Sequence, residues 1–185
     1  MTSILVASLI CALPPRGTAP AAGEPQQQPL AEEEIRARID TFMGTIDTPI
    51  PPAQWRALGT RGAAILEGMA QDPNLRPTRR AKAIAGLSAI GAESSSAVLV
   101  SLAGSAEAPL NVRLSAVYAI PGVVAAPQVA PTLQTFLQGS DNLHVRAAAA
   151  DVLSRHGGCG LVRAQARRER DALTLQRAVQ SCDKQ

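Results

Sequence analysis

The chain has 185 residues, of which 46% are apolar but only 2% aromatic, and a formal net charge of +3. That length suits one domain of ordinary size, and its core has to be built from Ala, Leu, Val and Ile, which favours close-packed helices over an aromatic-rich sheet. So small a charge does not imply a polyanionic partner, even though the basic residues are 16 Arg against 2 Lys.

The first element in chain order is the apolar run ILVASLICAL, residues 4–13. It is too short to span a membrane and suits the core of a signal peptide. Small residues follow, TAPAAG, with an A-x-A-type cut near Ala21 or Ala22. The opening MTS lacks the usual basic residues, and the competing reading is a frayed apolar N-terminus of a cytosolic protein. We expect a signal peptide over 1–22 and a periplasmic or secreted product. Cys11 is a poor lipid anchor because bulky Ile10 precedes it. Its removal would leave Cys159 and Cys182, an even pair suited to an oxidising compartment. Residues 14–30 are rich in Pro, Gly, Ala and Gln. They read as a disordered linker, of which 23–30 would remain after cleavage.

Over 31–46 the chain reads AEEEIRARIDTFMGTI. Ile35, Ile39, Phe42, Met43 and Ile46 make a stripe at helical spacing, and three glutamates suit the dipole of the first turn. This is an expected N-terminal capping helix. TPIPP (48–52) then turns the chain, and Trp55 and Leu58 fall on a short helix leading into an array.

The array is visible as a repeat. RAKAIAGL (80–87), RLSAVYAI (113–120) and RAAAADVL (146–153) align without a gap, 33 residues apart. Arg80, Arg113 and Arg146 open the copies; Ala83, Ala116 and Ala149 recur inside them; Leu87, Ile120 and Leu153 close them. Apolar offsets of three, four and seven define a helical face, and Ala at the inner offset lets neighbouring helices approach. A second helical stretch accompanies each copy: GAAILEGMAQ (62–71), SAVLVSLAG (96–104) and APTLQTFLQ (130–138). Leu66, Leu99 and Leu133 share one register there; Met69, Leu102 and Phe136 share another. The step is 33 and then 34 residues, so the middle unit has one extra residue in its turn. Pro77 and Pro109 stand where a missing N–H costs nothing. Asp141 is the expected cap of the third copy, and Gly91 and Gly157 are stops. Pro121-Gly122 should end or kink the middle helix near Ile120. Pro127 should open the following helix, with Pro131 still near its first turn.

Paired helices of this length stacked in series bury on each side what one pair would expose. The expected fold is therefore all-α, a small α-solenoid of antiparallel helix pairs. The segments DPNLRPTRRAKAIAGLSAIG and DNLHVRAAAADVLSRHG resemble HEAT-like repeats, particularly the short phycobilin-lyase type. The shared features are an Asp near the start, an Arg opening the helix (preceded by Val in the second segment), and an Ala-rich helix closing on Leu and Gly. The resemblance covers roughly 52–168 and implies architecture. Some lyases of that type act on tetrapyrroles, but this chain offers no aromatic-lined pocket, and that activity is not carried over.

The last segment, CGLVRAQARRERDALTLQRAVQSC (159–182), would hold its cysteines about 33 Å apart as one helix, at 1.5 Å per residue. Bridged Cα atoms lie within about 7 Å. A break near Arg170-Asp171 would make a hairpin and bring Cys159 and Cys182 together. Asp171 would cap a final helix over 169–185, with Ala172, Leu173, Leu175, Ala178 and Val179 on its apolar face.

Residues for catalysis are scarce, and no catalytic site, cofactor or metal is expected. His156-x-x-Cys159 could be half of a zinc site, but a surface His beside a disulfide Cys accounts for it as well. The three recurrent arginines could line an anion-binding row; the plainer reading buries their stems and bonds their heads to backbone or carboxylate. Arg163, Arg167, Arg168 and Arg170, joined by Arg76, Arg79, Arg80 and Lys82, could face nucleic acid, or form a solvated face. We expect a monomeric, non-enzymatic binding module for a protein partner, with no membrane span and no nucleic acid. Its candidate surface along the second helices includes Glu67, Gln134, Arg163 and Arg167. The alternative is a cytosolic HEAT-like protein that holds nucleic acid on its Arg-rich C-terminal surface.

Overall fold

A computed structural model describes residues 30–45, 48–169 and 172–184. The expected signal peptide, the linker apart from Leu30, and Ile46, Arg170 and Asp171 lie outside the described residues. Among the described residues the protein is all-helical. The helices are α1 (Glu32–Gly44), α2 (Pro52–Arg56), α3 (Gly59–Gln71), α4 (Pro77–Ile90), α5 (Ser96–Gly104) and α6 (Leu110–Val123). They continue with α7 (Ala126–Gly139), α8 (Leu143–Arg155), α9 (Cys159–Ala166) and α10 (Ala172–Cys182), and a 3-10 turn over Glu93–Ser95 precedes α5.

Helix α1 starts beneath its three glutamates, two of which pair across one turn with Arg36 and Arg38, each at 2.7 Å. Exposed pairs of this kind contribute about 0.3–0.5 kcal/mol. Ile35, Ile39 and Met43 face inward, against α3 and α4. Phe42 meets Trp55 edge to face, ring centroids 4.9 Å apart. Trp55 and Leu58 are both buried, which anchors α2 against α4.

Helix α4 packs on α3 and α6; α6 packs on α5 and α8; α8 packs on α7 and α10. The helices α4, α6, α8 and α10 thus form one continuous packed series, flanked by α3, α5, α7 and α9. The residues that match at a 33-residue spacing lie in these contacts. Ala83, Ala116 and Ala149 are fully buried, as are Leu87, Ile120 and Leu153. Leu66, Leu99 and Leu133 are fully buried on the flanking helices.

Punctuation follows the sequence in part. Gly91 ends α4 in the left-handed conformation (φ +76°), donating its N–H to Leu87 O; Gly157 (φ +77°) turns the chain after α8. Three local expectations need correction. The N-cap of α8 is Asn142, not Asp141: Asn142 Oδ1 accepts from the His144 and Val145 N–H groups at 3.0 and 3.2 Å. Helix α6 does not end at Ile120 but runs through Pro121 to Val123. A proline this near the end removes only one N–H from the ladder. Gly122 serves a close approach, since a Cβ there would fall 2.6 Å from the Ser88 carbonyl oxygen on α4. Leu173 leaves the expected apolar face of α10 and is 77% exposed; the buried stripe is Leu175, Ala178 and Cys182.

Candidate binding surfaces

Each recurrent arginine is the fourth residue of its helix, one turn in from the N-terminus. Arg80 is 6% exposed, and its Nε donates to Ala70 O at 2.9 Å. That carbonyl lies in the last turn of α3, where helix carbonyls lack intrahelical partners and attract positive charge. Arg113 repeats the contact on α5, Nε to Ala103 O at 3.4 Å. Arg146 departs from it. Its Nη1 donates to Ser140 O and Asp141 O at 2.8 and 3.2 Å. The rest of its guanidinium grips Glu169, Nε to Oε2 at 2.9 Å and Nη2 to Oε1 at 3.2 Å.

Cys159 opens α9 and Cys182 closes α10, and the two are joined, with Sγ atoms 2.11 Å and Cα atoms 5.5 Å apart. Arg163 reinforces the same hairpin by donating to Cys182 O at 2.9 Å and Asp183 Oδ1 at 3.1 Å.

Of the four candidate surface residues, Glu67 is half-buried and accepts a hydrogen bond from Ser95 Oγ at 2.6 Å. Gln134 lies over Gln138, Nε2 to Oε1 at 3.4 Å. Arg163 is engaged as above, and Arg167 is exposed at the end of α9. No hydrogen bond or ion pair joins any two of the four among the described residues. Within the basic cluster, Arg167, Arg168 and Arg76 are exposed. Arg80 is withdrawn into the core, and Lys82 Nζ is tied to Thr45 O and Oγ1, both at 2.7 Å. His156 caps the C-terminus of α8, and the described residues contain no group of three or more His, Cys, Asp or Glu placed to hold a metal ion.

A different surface emerges on the continuous series. Among the described residues, the large apolar side chains left exposed are Leu110 (38%), Tyr118 (48%) and Leu173 (77%). Leu110, Leu114 and Tyr118 are four apart on α6 and share one face. Leu114, Tyr118, His144, Asp151, Leu173 and Arg177 line a groove of about 360 Å³ between α6, α8 and α10. Across Tyr118 a second hollow of about 300 Å³ is floored by Ala81, Ala85 and Ala119. The Tyr118 ring is braced: the Arg155 guanidinium carbon lies 5.9 Å from its centroid, and Arg155 is held by Asp151 at 2.8 Å. Burial, and then the neighbouring Asp151 carboxylate, push the phenol above its ordinary value, so it stays a neutral donor at physiological pH. The sequence signal for this groove is that Tyr118, the single tyrosine, breaks a register in which the neighbouring copies place Ala85 and Asp151.

Set against known proteins, the chain matches no family model, no curated protein and no solved structure. No helix among the described residues is long and apolar enough to cross a membrane.

Proposed function

We propose that this chain is a small α-solenoid of HEAT-like helix pairs, acting as a monomeric, non-enzymatic module that holds a protein partner in the periplasm or outside the cell. The observation that carries the reading is the groove around Tyr118. Exposed apolar side chains gathered on one face favour a macromolecular contact, and tyrosine supplies contact area at low entropic cost. An apolar side chain of the partner would enter between Leu114, Tyr118 and Leu173, with Arg177 and His144 offering polar contacts at the rim. Glu67, Gln134, Arg163 and Arg167, on the flanking helices, would form a second and more polar surface. The apolar run at 4–13 and the pairing of Cys159 with Cys182 support export.

Cross-linking and mass spectrometry in the native host test the reading. Tyr118→Ala with Leu173→Ala should lose the principal cross-linked protein. An unchanged cross-linking profile would overturn it. A second reading, cytosolic nucleic-acid binding, has the exposure of Arg167 and Arg168 in its favour. Duplex DNA binding that weakens steeply with salt would establish that reading instead.

A further inference from the structure

We propose that Arg113 forms a carboxylate-binding site in the cleft between the ends of α5 and α7, a site independent of the Tyr118 groove. The inference comes from two repeats of the same chain. In the last repeat the Arg146 fork is filled by Glu169 through two hydrogen bonds of 2.9 and 3.2 Å. Arg113 stands 33 residues earlier at the same place in its helix. Its Nε is engaged with Ala103 O, while among the described residues its two terminal nitrogens have no hydrogen-bond or ion-pair partner. The residue 33 positions before Glu169 is Phe136, which brings a ring where the last repeat brings oxygens.

The fork opens on a cleft of about 520 Å³, lined also by Thr135, Ser140, Asp141 and Asn142. A planar guanidinium matches a carboxylate bidentately. Two further donors stand in the same lining. Asn142 uses its Oδ1 to cap α8, which leaves its NH₂ for a ligand. Ser140 Oγ accepts from Asn142 N at 3.3 Å, which leaves its O–H. Thr135 is committed, donating to Thr132 O at 2.7 Å. Asp141 is exposed on the rim and opposes an anion, so binding of a lone carboxylate falls at about 10 mM. The ligand class is a carboxylate, carried by an acidic side chain or by a chain terminus.

The test is NMR of arginine Nε–Hε signals in the full ¹⁵N-labelled chain, with Arg113 assigned through Arg113→Lys. Acetate is titrated against chloride at equal ionic strength, followed by N-acetylglycine and by N-acetylglutamate N-methylamide. A saturable shift at Arg113, with Arg146 still, supports the site. Asp141→Asn should tighten it about two- to threefold. A larger response to N-acetylglycine identifies a chain terminus as the favoured source, and the reverse identifies an acidic side chain. An Arg113 signal unmoved at about ten times the expected dissociation constant overturns the proposal. So does a shift that chloride reproduces, or one shared equally by Arg167 and Arg168. Unfolding curves for Arg113→Lys and Asp141→Asn that overlay the parent keep the comparison free of folding defects.

Discussion

Helices α6 and α8 carry nearly the same stretch, LNVRLSAVYAI and LHVRAAAADVL, yet they finish differently. In both, the shared Val, Ala and terminal aliphatic residues are buried. Some divergent positions, Val117 against Ala150 and Ala119 against Val152, are buried too; others, Asn111 against His144 among them, are exposed on both helices. Tyr118 of α6 stands where α8 has Asp151, and Asp151 braces the arginine beside that tyrosine. Arg113 faces an open cleft where Arg146 is closed by Glu169. The matched positions pack, and only part of what differs between the two helices reaches the surface.

The comparison can be broken from the core outward. Ile120→Ala and Leu153→Ala delete matched, fully buried side chains and should each cost about 3–4 kcal/mol in chemical denaturation. A cost at one site less than half that at the other would show that the two repeats are not energetically equivalent. Replacing both Cys159 and Cys182 with Ser should cost about 3 kcal/mol by the chain-entropy argument. Hydrogen exchange should place that loss in α9 and α10 and leave α6 protected. Glu169→Gln leaves Arg146 with a weakened partner where the side chains are only 17% and 11% exposed. It should cost about 2 kcal/mol, below the full penalty for a buried pair because some solvent remains. Asn142→Ala removes the cap that distinguishes α8 from the proline-led α6 and should cost about 1 kcal/mol. Tyr118→Ala should cost no more than about 1 kcal/mol, for the half-covered ring and its Arg155 contact, while abolishing partner capture. A large stability loss instead would assign Tyr118 to the fold and not to recognition.

Much of the helical layout was legible because burial repeats. An Arg, an inner Ala and a closing aliphatic residue recur at one period, and Pro77 and Gly91 bracket α4. What escaped were choices that a local pattern leaves open. Asp141 and Asn142 are adjacent residues of equal capping ability, and only the backbone decides which one faces the free N–H groups. Leu173 and Leu175 are two apart and cannot share one helical face; the position of Cys182 selects Leu175. Pro121-Gly122 carries the chemistry of a stop, but α4 is close enough to need a residue without a Cβ. Among the candidate surface residues, Glu67 met a partner 28 residues away in Ser95, a contact that no local spacing announces. The Tyr118 groove escaped for the same reason, since its walls come from α6, α8 and α10.

The bridge between Cys159 and Cys182 also bears on assembly. A row of packed helices is open at its end, and an apolar face left bare there would invite another copy to add on head to tail, as non-closing contacts build filaments. Here α10 folds back over α8, and its far end is fastened covalently to the start of α9. The staple keeps α10 from peeling away from α9, and so keeps the face of α8 beneath it covered. Under reducing conditions that restraint is gone, and the face of α8 that α10 covers is the one first exposed to solvent.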